Sequence, residues 1–299
     1  MKGFITEVQR FSLNDGPGIR TTVFFKGCNL KCAWCHNPET ISGRRELCFV
    51  PEKCINCFKC LERCVSIAHK KLGGVHRFFP SLCVKCGQCA KVCFSGALTV
   101  PGRYWTVEEV MAEIVQDKPY YLDSGGGVTL SGGEVFCQKE FAAELIDACR
   151  AEGIAVGVET NLNFPFESIE PVLRKLDLIM FDLKLADDAE HRRWTGAGNG
   201  RILENARRLD TLGIPLIART PLVPGATDSE ENLEALGSVA ASLRRLEYWE
   251  LLNFNPLGTP KYHSLNLEYA FENARPLPPE RLEELKRAAE RSGARVRLG

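Results

Sequence analysis

The chain lacks the features that mark membrane proteins, general nucleic-acid binders and secreted proteins. No apolar run among its 299 residues approaches the roughly 20 residues that cross a bilayer. The 38 Lys and Arg residues are balanced by 38 Asp and Glu residues, so the positive charge of a nucleic-acid binder is missing. Residues 1–16 contain no apolar segment like that of a secretion signal. We therefore expect a cytoplasmic protein that binds neither membranes nor nucleic acid.

Cysteine, in contrast, is abundant, with 14 residues. A chain of this length buries enough apolar surface to fold without disulfides, and no export signal accompanies the cysteines, so they indicate metal binding. Eleven fall into three groups: Cys28, Cys32 and Cys35; Cys54, Cys57, Cys60 and Cys64; and Cys83, Cys86, Cys89 and Cys93. We predict that the isolated Cys48, Cys137 and Cys149 are small buried hydrophobic residues.

The second and third groups share one spacing, C-x2-C-x2-C-x3-C, which is that of bacterial ferredoxins. In that pattern the fourth cysteine of each run binds the cluster of the other run. The predicted ligand sets are therefore Cys54, Cys57, Cys60 and Cys93 for one 4Fe-4S cluster, and Cys83, Cys86, Cys89 and Cys64 for the other. All-cysteine zinc sites are the alternative, although these prefer two C-x2-C pairs separated by a longer gap.

Composition sets these two groups apart from the rest of the chain. Residues 46–102 contain nine of the 14 cysteines, with eight Lys and Arg against three Asp and Glu, a net charge of +5. The remainder carries the compensating −5. We therefore predict a ferredoxin-like insert at 46–102 within a larger domain formed by residues 1–45 and 103–299.

Outside the insert, helical patterns alternate with short β-branched runs. The predicted helices cover residues 106–117, 137–152, 165–175, 200–212, 229–245 and 279–292. The predicted strands cover residues 21–25, 127–130, 154–159, 178–183, 215–220 and 248–254. This alternation predicts an α/β fold of six parallel βα units, which suits an open, partial barrel, with a doubly wound sheet as the alternative. In both folds ligands bind at the carboxyl ends of the strands.

The first cysteine group follows the first of these strands. Three thiolates bind three irons of a four-iron cluster and leave the fourth iron open for a substrate. Further unusual loops follow the later strands: SGGE at 131–134, ETN at 159–161, DLK at 182–184 and NFNPLG at 253–258.

These motifs together resemble those of radical S-adenosylmethionine (SAM) enzymes. More narrowly, DGPGIRTTVFFKGCNLKCAWCHNPE at 15–39 resembles the activating enzymes of glycyl radical enzymes. The insert is similar to the two-cluster insert in activators of dehydratases, decarboxylases and lyases, which the minimal pyruvate formate-lyase activator lacks. The resemblance implies a partial (β/α)6 TIM-like radical SAM barrel with an inserted bacterial-ferredoxin-like domain.

The resemblance also implies roles for individual residues near the first cysteine group. Cys28, Cys32 and Cys35 would hold the catalytic 4Fe-4S cluster, whose open iron is chelated by the amino and carboxylate groups of SAM. Trp34 and His36 would flank the adenine.

The later loops would supply the other contacts to SAM. Gly132 and Gly133 would let the backbone approach its methionine part, and Glu134 would accept a hydrogen bond from its ammonium. Asp182, Leu183 and Lys184 would contact SAM, with residues 182 and 184 on the same side of a strand. Asn255 stands where relatives often have a SAM-contacting histidine. Glu159, Thr160 and Met180 match positions that hold a monovalent cation in some relatives.

The implied function is activation of a partner glycyl radical enzyme. SAM would be cleaved reductively, and a hydrogen atom would be abstracted from a backbone glycine of the partner. The implied cofactors are three 4Fe-4S clusters, SAM and a monovalent cation, with no catalytic acid or base in the protein. We expect a monomer that receives electrons from a flavodoxin or a ferredoxin. The alternatives are a three-cluster electron carrier and a radical SAM enzyme that acts on a small molecule or another peptide.

Overall fold

The computed structural model describes residues 1–299, which form thirteen strands and ten α-helices. The strands are β1 (Lys2–Ser12), β2 (Arg20–Phe25), β3 (Cys48–Phe49), β4 (His69–Leu72), β5 (Val75–Phe78), β6 (Leu98–Thr99), β7 (Arg103–Thr106), β8 (Gly127–Gly132), β9 (Val156–Thr160), β10 (Leu178–Asp182), β11 (Leu216–Leu222), β12 (Leu246–Asn253) and β13 (Val296–Leu298). The helices are α1 (Lys59–Arg63), α2 (Val107–Ile114), α3 (Lys118–Ser124), α4 (Lys139–Ala151), α5 (Phe166–Leu173), α6 (Asp188–Thr195), α7 (Gly200–Leu209), α8 (Glu230–Ala241), α9 (Thr259–Ser264) and α10 (Pro279–Glu290). None of these helices has the length and apolar character that a membrane crossing requires.

Nine strands form one sheet in the order β13-β12-β11-β10-β9-β8-β2-β1-β7. The six strands β2, β8, β9, β10, β11 and β12 are parallel and lie side by side in chain order. Because the order never reverses, right-handed crossovers place the helices on one face of the sheet. A doubly wound sheet would reverse its order at a switch point. The predicted α/β fold of six βα units is confirmed, and the doubly wound alternative is wrong.

The elements that the sequence pattern misses lie at the edges of the fold. Strands β1 and β7 extend the sheet in antiparallel fashion, and β13 adds a short parallel strand at the other edge. Among the helices, the pattern also misses α1, α3, α6 and α9. Helix α6 reads DAEHRRWT and buries only His191 and Thr195, so it has no apolar stripe to reveal it.

The two faces of the parallel sheet differ in chemistry because side chains alternate along each strand. One face packs against the helices and carries Val158, Phe181 and Trp249 of a large apolar core. The opposite, interior face carries polar groups that bond to one another across strands. Arg20 Nε lies 2.6 Å from Thr129 Oγ1, for example. The interior face is therefore suited to a polar ligand.

The cysteine-rich segment (residues 46–102) contains two similar halves, 29 positions apart, with Cys54 equivalent to Cys83. Strand β3 pairs with β6, and β5 pairs with β4, at equivalent positions of the two halves. Asn56 and Lys85 occupy equivalent turns with φ of 54° and 55°, a left-handed conformation that side chains rarely adopt. Each half thus folds its cysteine loop in the same way.

Candidate functional site

A cavity opens at the carboxyl ends of the parallel strands, where both the barrel and the sheet alternatives place a ligand. Its lining residues are Asp15, Phe24, Cys28, Leu30, Cys32, Trp34, Cys35, His36, Asn37, Ser131, Gly132, Gly133, Glu159, Thr160, Asn161, Asp182, Lys184, Pro221 and Leu252. Loops that are more than 100 residues apart in the chain meet here. The structure therefore brings most of the predicted cofactor-binding residues into one cavity.

The three cysteines of the first group all line this cavity. The main chain of their loop is anchored on α6, with Ala33 N donating to Trp194 O at 2.9 Å. Burial raises the pKa of the Cys28 thiol, and burial together with the nearby Cys32 raises the pKa of Cys35 to about 12. Thiolates at such sites need a positive partner, which iron supplies. Three clustered, half-buried thiols therefore fit a four-iron cluster with one iron left open.

Asp182 and Lys184 form a half-buried ion pair on the cavity wall. Lys184 Nζ lies 2.7 Å from Asp182 Oδ2. Burial alone would lower the pKa of Lys184, but Asp182 and Cys32 raise it above its usual value, so the ammonium stays charged. Leu183 is 1% exposed and belongs to the apolar core, so its side chain faces away from the cavity. Only the main chain of Leu183 is left to contact a cofactor.

Gly132 and Gly133 line the cavity, but protein backbone alone explains why they are glycines. A Cβ on Gly132, which has φ of 111°, would lie 2.4 Å from the Phe25 N and O atoms. A Cβ on Gly133 would lie 2.4 Å from Gly27 O. The sequence interpretation, which explained the pair by close approach to the methionine part of SAM, therefore needs correction. The pair first allows β8 to pack against the loop that begins the cysteine motif.

Glu134 does not line the cavity, contrary to its predicted role as an acceptor for the SAM ammonium. Its carboxylate accepts hydrogen bonds from Asn161 N at 2.8 Å, from Thr160 Oγ1 at 3.0 Å and from Phe136 N at 3.1 Å. Burial raises the pKa of Glu134 to about 7, and these donors only partly offset it. Glu134 therefore positions the ETN loop, whose Asn161 does reach the cavity.

The predicted monovalent cation site is already neutralised by an arginine. Arg219 Nη1 lies 2.7 Å from Glu159 Oε1, and Arg219 Nε lies 2.8 Å from Glu250 Oε2. Burial alone would raise the pKa of Glu159, but Arg219 and Ser131 hold it below its usual value. Thr160 donates to Glu134, and Met180 packs against Leu178 and Ile217. Arg219 thus competes with a cation for the Glu159 carboxylate, and the cation at Glu159, Thr160 and Met180 stays a prediction.

Trp34, His36 and Asn255 differ in their access to the cavity. Trp34 is 8% exposed, packs near Trp194 and Phe271, and presents one edge to the cavity. His36 also lies on the wall. Asn255 lies outside, because its side chain accepts a hydrogen bond from Leu257 N at 3.0 Å and caps the next turn. The prediction that Asn255 binds SAM is therefore not supported by its position.

The sequence analysis missed Asp15, which lines the cavity, and Arg219, which pairs with the lining residue Glu159. Asp15 accepts a hydrogen bond from Thr22 Oγ1 at 2.7 Å and reaches the cavity from the DGPGIR turn. Arg219 lies on β11, and its Nη2 also donates to Asn14 O at 2.7 Å. Asp15 lies within a recognised motif, which could have revealed it. Arg219 had no such signal, since its partners lie far away in the chain.

The insert cysteines form two separate groups of four. Cys54, Cys57, Cys60 and Cys93 line one small cavity, together with apolar residues. Cys89 lies close enough to Cys83, Cys86 and Cys64 for their charges to affect it. Burial raises the pKa of Cys60 to about 11 and that of Cys89 to about 12. The fourth cysteine of each run thus lies with the other run, and each set of four thiols fits a 4Fe-4S cluster.

The isolated cysteines behave differently from one another. Cys48 and Cys149 are buried, whereas Cys137 is exposed. The prediction that all three are small buried hydrophobic residues is therefore wrong for Cys137, which lies in the short turn Val135–Gln138 before α4.

Comparison with known families assigns the chain on independent grounds. The sequence model of the radical SAM superfamily matches residues 22–236, which include the three-cysteine loop and strands β8 to β11. The chain belongs to the radical SAM superfamily, whose members use SAM and a 4Fe-4S cluster.

The most similar relatives narrow the assignment. The trans-4-hydroxy-L-proline dehydratase activating enzyme of Clostridioides difficile is 38% identical, over 100% of both chains. The (2S)-3-sulfopropanediol dehydratase activating enzyme of Klebsiella oxytoca is 38% identical, over 91% of this chain and 88% of its own. Among solved structures, a domain of pyruvate-formate lyase-activating enzyme from Bacteroides vulgatus ATCC 8482 is 27% identical, with a TM-score of 0.50, and covers 58% of this chain and 99% of that domain. Within the superfamily, the chain is one of the activating enzymes of glycyl radical enzymes, as its motifs predict.

Proposed function

We propose that this protein uses SAM and three 4Fe-4S clusters to activate a partner glycyl radical enzyme at a backbone glycine. The observation that carries the proposal is the single cavity that contains the three half-buried thiols of one cysteine run beside the Asp182–Lys184 ion pair. When bound, cluster and SAM supply the radical chemistry: one electron cleaves the sulfonium, and the resulting 5'-deoxyadenosyl group takes a hydrogen atom from the glycine.

The protein's own residues bind and orient these groups. Cys28, Cys32 and Cys35 would hold the cluster, and the Asp182–Lys184 pair offers a carboxylate and an ammonium to the polar parts of SAM. Trp34 and other apolar wall residues exclude water from the reacting atoms. No side chain has to transfer a proton.

The cysteine-rich segment would hold the other two clusters and pass electrons from an external donor. Four thiols surround each site, so no ligand position is left for a substrate. The net charge of +5 in residues 46–102 favours an acidic donor such as a flavodoxin or a ferredoxin. We propose a monomer that binds this donor and the glycyl radical enzyme transiently.

The relatives indicate the kind of partner. They are activators of dehydratases, a decarboxylase and sulfite-lyases, among others. We propose that the partner is a glycyl radical enzyme of this kind, and that its glycine loop enters the cavity from the open side of the partial barrel.

The test is SAM cleavage by the anaerobically reconstituted, reduced protein. Methionine and 5'-deoxyadenosine should form in the wild type and in the Cys137→Ala control, and should be absent in Cys32→Ala. With a purified partner, a glycyl radical should appear in the electron paramagnetic resonance (EPR) spectrum. A reduced protein with all clusters assembled that leaves SAM intact would favour the electron-carrier alternative instead.

A further inference from the structure

Two buried histidines lie beside one group of insert cysteines and have no part in the proposed function. His69 and His76 are 3% and 4% exposed. His69 Nδ1 lies 2.9 Å from His76 Nε2, and His76 Nδ1 lies 3.5 Å from Cys54 Sγ. The main-chain N–H of His76 donates to Asn56 Oδ1 at 2.8 Å, which fixes its position relative to the cysteine loop. The side chains thus form a continuous row that ends on a cluster ligand.

The internal repeat shows that the fold does not require histidine at these positions. With the offset of 29 residues, His76 is equivalent to Leu47 and His69 to Leu98. Both leucines are buried in one small apolar cluster with Cys60 and Cys89, and Leu98 also lines the cavity of the first group. In the second group, the position of His76 is therefore taken by an aliphatic side chain, Leu47, which lies near Cys83.

Other donors to the cysteine sulfurs are similar in the two halves. Ser95 Oγ lies 3.7 Å from Cys93 Sγ, and the equivalent Ser66 Oγ lies 3.6 Å from Cys64 Sγ. Main-chain N–H groups also donate to cysteine sulfurs in both halves. The histidine pair is therefore the clearest side-chain difference between the two cluster environments.

Hydrogen-bond chemistry fixes the direction of this row of donors. A cysteine that binds iron as a thiolate can only accept, so His76 must carry its proton on Nδ1. In the neutral imidazole, Nε2 then accepts, and His69 must donate from its own Nδ1. His69 Nε2 is left without a partner, and it is indeed buried with no hydrogen bond.

We propose that His76 donates a hydrogen bond to the Cys54 thiolate of one insert cluster and thereby raises the reduction potential of that cluster alone. His69 acts as a positioning residue that holds His76 in the donating tautomer. A hydrogen bond to a cluster sulfur stabilises the more negative, reduced cluster. The reduced cluster gains one electron, and the imidazole keeps its proton. This inference rests on the proposed function, in which the segment holds two clusters.

A metal ion held by the histidines themselves is the competing interpretation. Ligand atoms of Cys60, His69 and His76 all lie within 4.8 Å of one another. However, Cys60 belongs to the group of four thiols, and the two facing imidazole nitrogens bond to each other. A bound ion would have to break both arrangements.

The test is an EPR-monitored redox titration of the full-length chain with Cys28, Cys32 and Cys35 changed to Ala, so that only the insert clusters titrate. Two one-electron couples are expected. In His76→Leu, the midpoint potential of one couple should fall by about 59 mV. At the midpoint potential of the unsubstituted chain, this shift lowers the ratio of reduced to oxidised cluster about tenfold. The other couple should stay in place. His76→Gln retains an N–H donor, so its midpoint potential should lie much closer to that of the unsubstituted chain.

The reverse substitution provides a matched control. Leu47→His places an imidazole beside the second group and should raise the other couple instead. Unchanged midpoint potentials in His76→Leu, or equal shifts of the two midpoint potentials, would overturn the inference.

Iron analysis separates this failure from failure of the proposed function. About eight irons per chain are expected before His76 is changed, and a chain without them, or with zinc, would contradict the two-cluster proposal itself.

Discussion

The strand-end cavity and the cysteine-rich segment both gather cysteine thiols on irregular loops, yet they differ in the number of thiols and in the groups around them. The cavity contains three thiols and surrounds them with charged groups such as Asp182, Lys184 and Glu159. The segment surrounds each site with four thiols, and apolar residues such as Phe58 and Leu98 line the first. The difference teaches that a reacting site keeps one ligand position free and supplies charges for a cosubstrate. An electron-carrying site completes its ligands and excludes water.

The strongest test of this comparison is to break a cluster in the segment and leave the cavity intact. In Cys60→Ala, SAM cleavage driven by a protein donor should fall by about two orders of magnitude or more, because the relay is interrupted. SAM cleavage driven by a strong chemical reductant should remain. Rates measured with both reductants check this, and equal rates for variant and wild type with both would remove the relay role.

Burial of Glu134 predicts a pH-dependent contribution to stability that is opposite in sign to that of the segment, where burial lowers the pKa values of His69 and His76. Its pKa is raised to about 7 in the folded protein, so the stability it contributes is present at acid pH and is lost as pH rises from about 4.5 through 7. The loss should approach about 3 kcal/mol. Urea unfolding of the metal-free, reduced protein at pH 5 and pH 8 measures it.

The control for this prediction is Glu134→Gln, which cannot titrate. The free energy of unfolding of the wild type, taken relative to that of Glu134→Gln, should fall between pH 5 and pH 8, because the other titrating groups are common to both proteins. An equal pH dependence in both proteins would show that Glu134 is not the group responsible.

The ion pair on the cavity wall should matter for cosubstrate binding more than for cluster assembly. In Asp182→Asn, Lys184 loses its charged partner and SAM loses a carboxylate contact, so KM for SAM should rise about tenfold. Iron content should stay at the wild-type level. Steady-state cleavage at varied SAM concentration measures this change, and a loss of iron with unchanged KM would place Asp182 in the cluster environment instead.

The smallest expected effect concerns the predicted cation beside Glu159. Exchange of K⁺ and Na⁺ for tetramethylammonium should leave the SAM cleavage rate unchanged, because the Arg219 guanidinium already pairs with the Glu159 carboxylate. A clear requirement for K⁺ would show that an ion does bind near Glu159.

The sequence predicts the parts of this molecule that depend on local spacing. Periods of two to four residues predict the cysteine runs, the six parallel strands and the loops at the strand ends. The structure gathers those loops at one edge of the sheet. The roles of Glu134 and Arg219 could not be predicted in this way. Arg219 meets Glu159 across 60 positions of sequence, and only the packed sheet brings them together. Asn255 likewise stands at a predicted strand end, but its own turn uses its side chain.

The central claim is that one cluster, in the strand-end cavity, has an iron that no protein thiolate reaches. Electron-nuclear double resonance with SAM labelled by ¹⁷O in its carboxylate, added to the reduced full-length protein, tests this most directly. We predict coupling of the label to one cluster, and its absence in Cys32→Ala. A wild-type protein with all three clusters assembled and no coupling from the label would contradict the account.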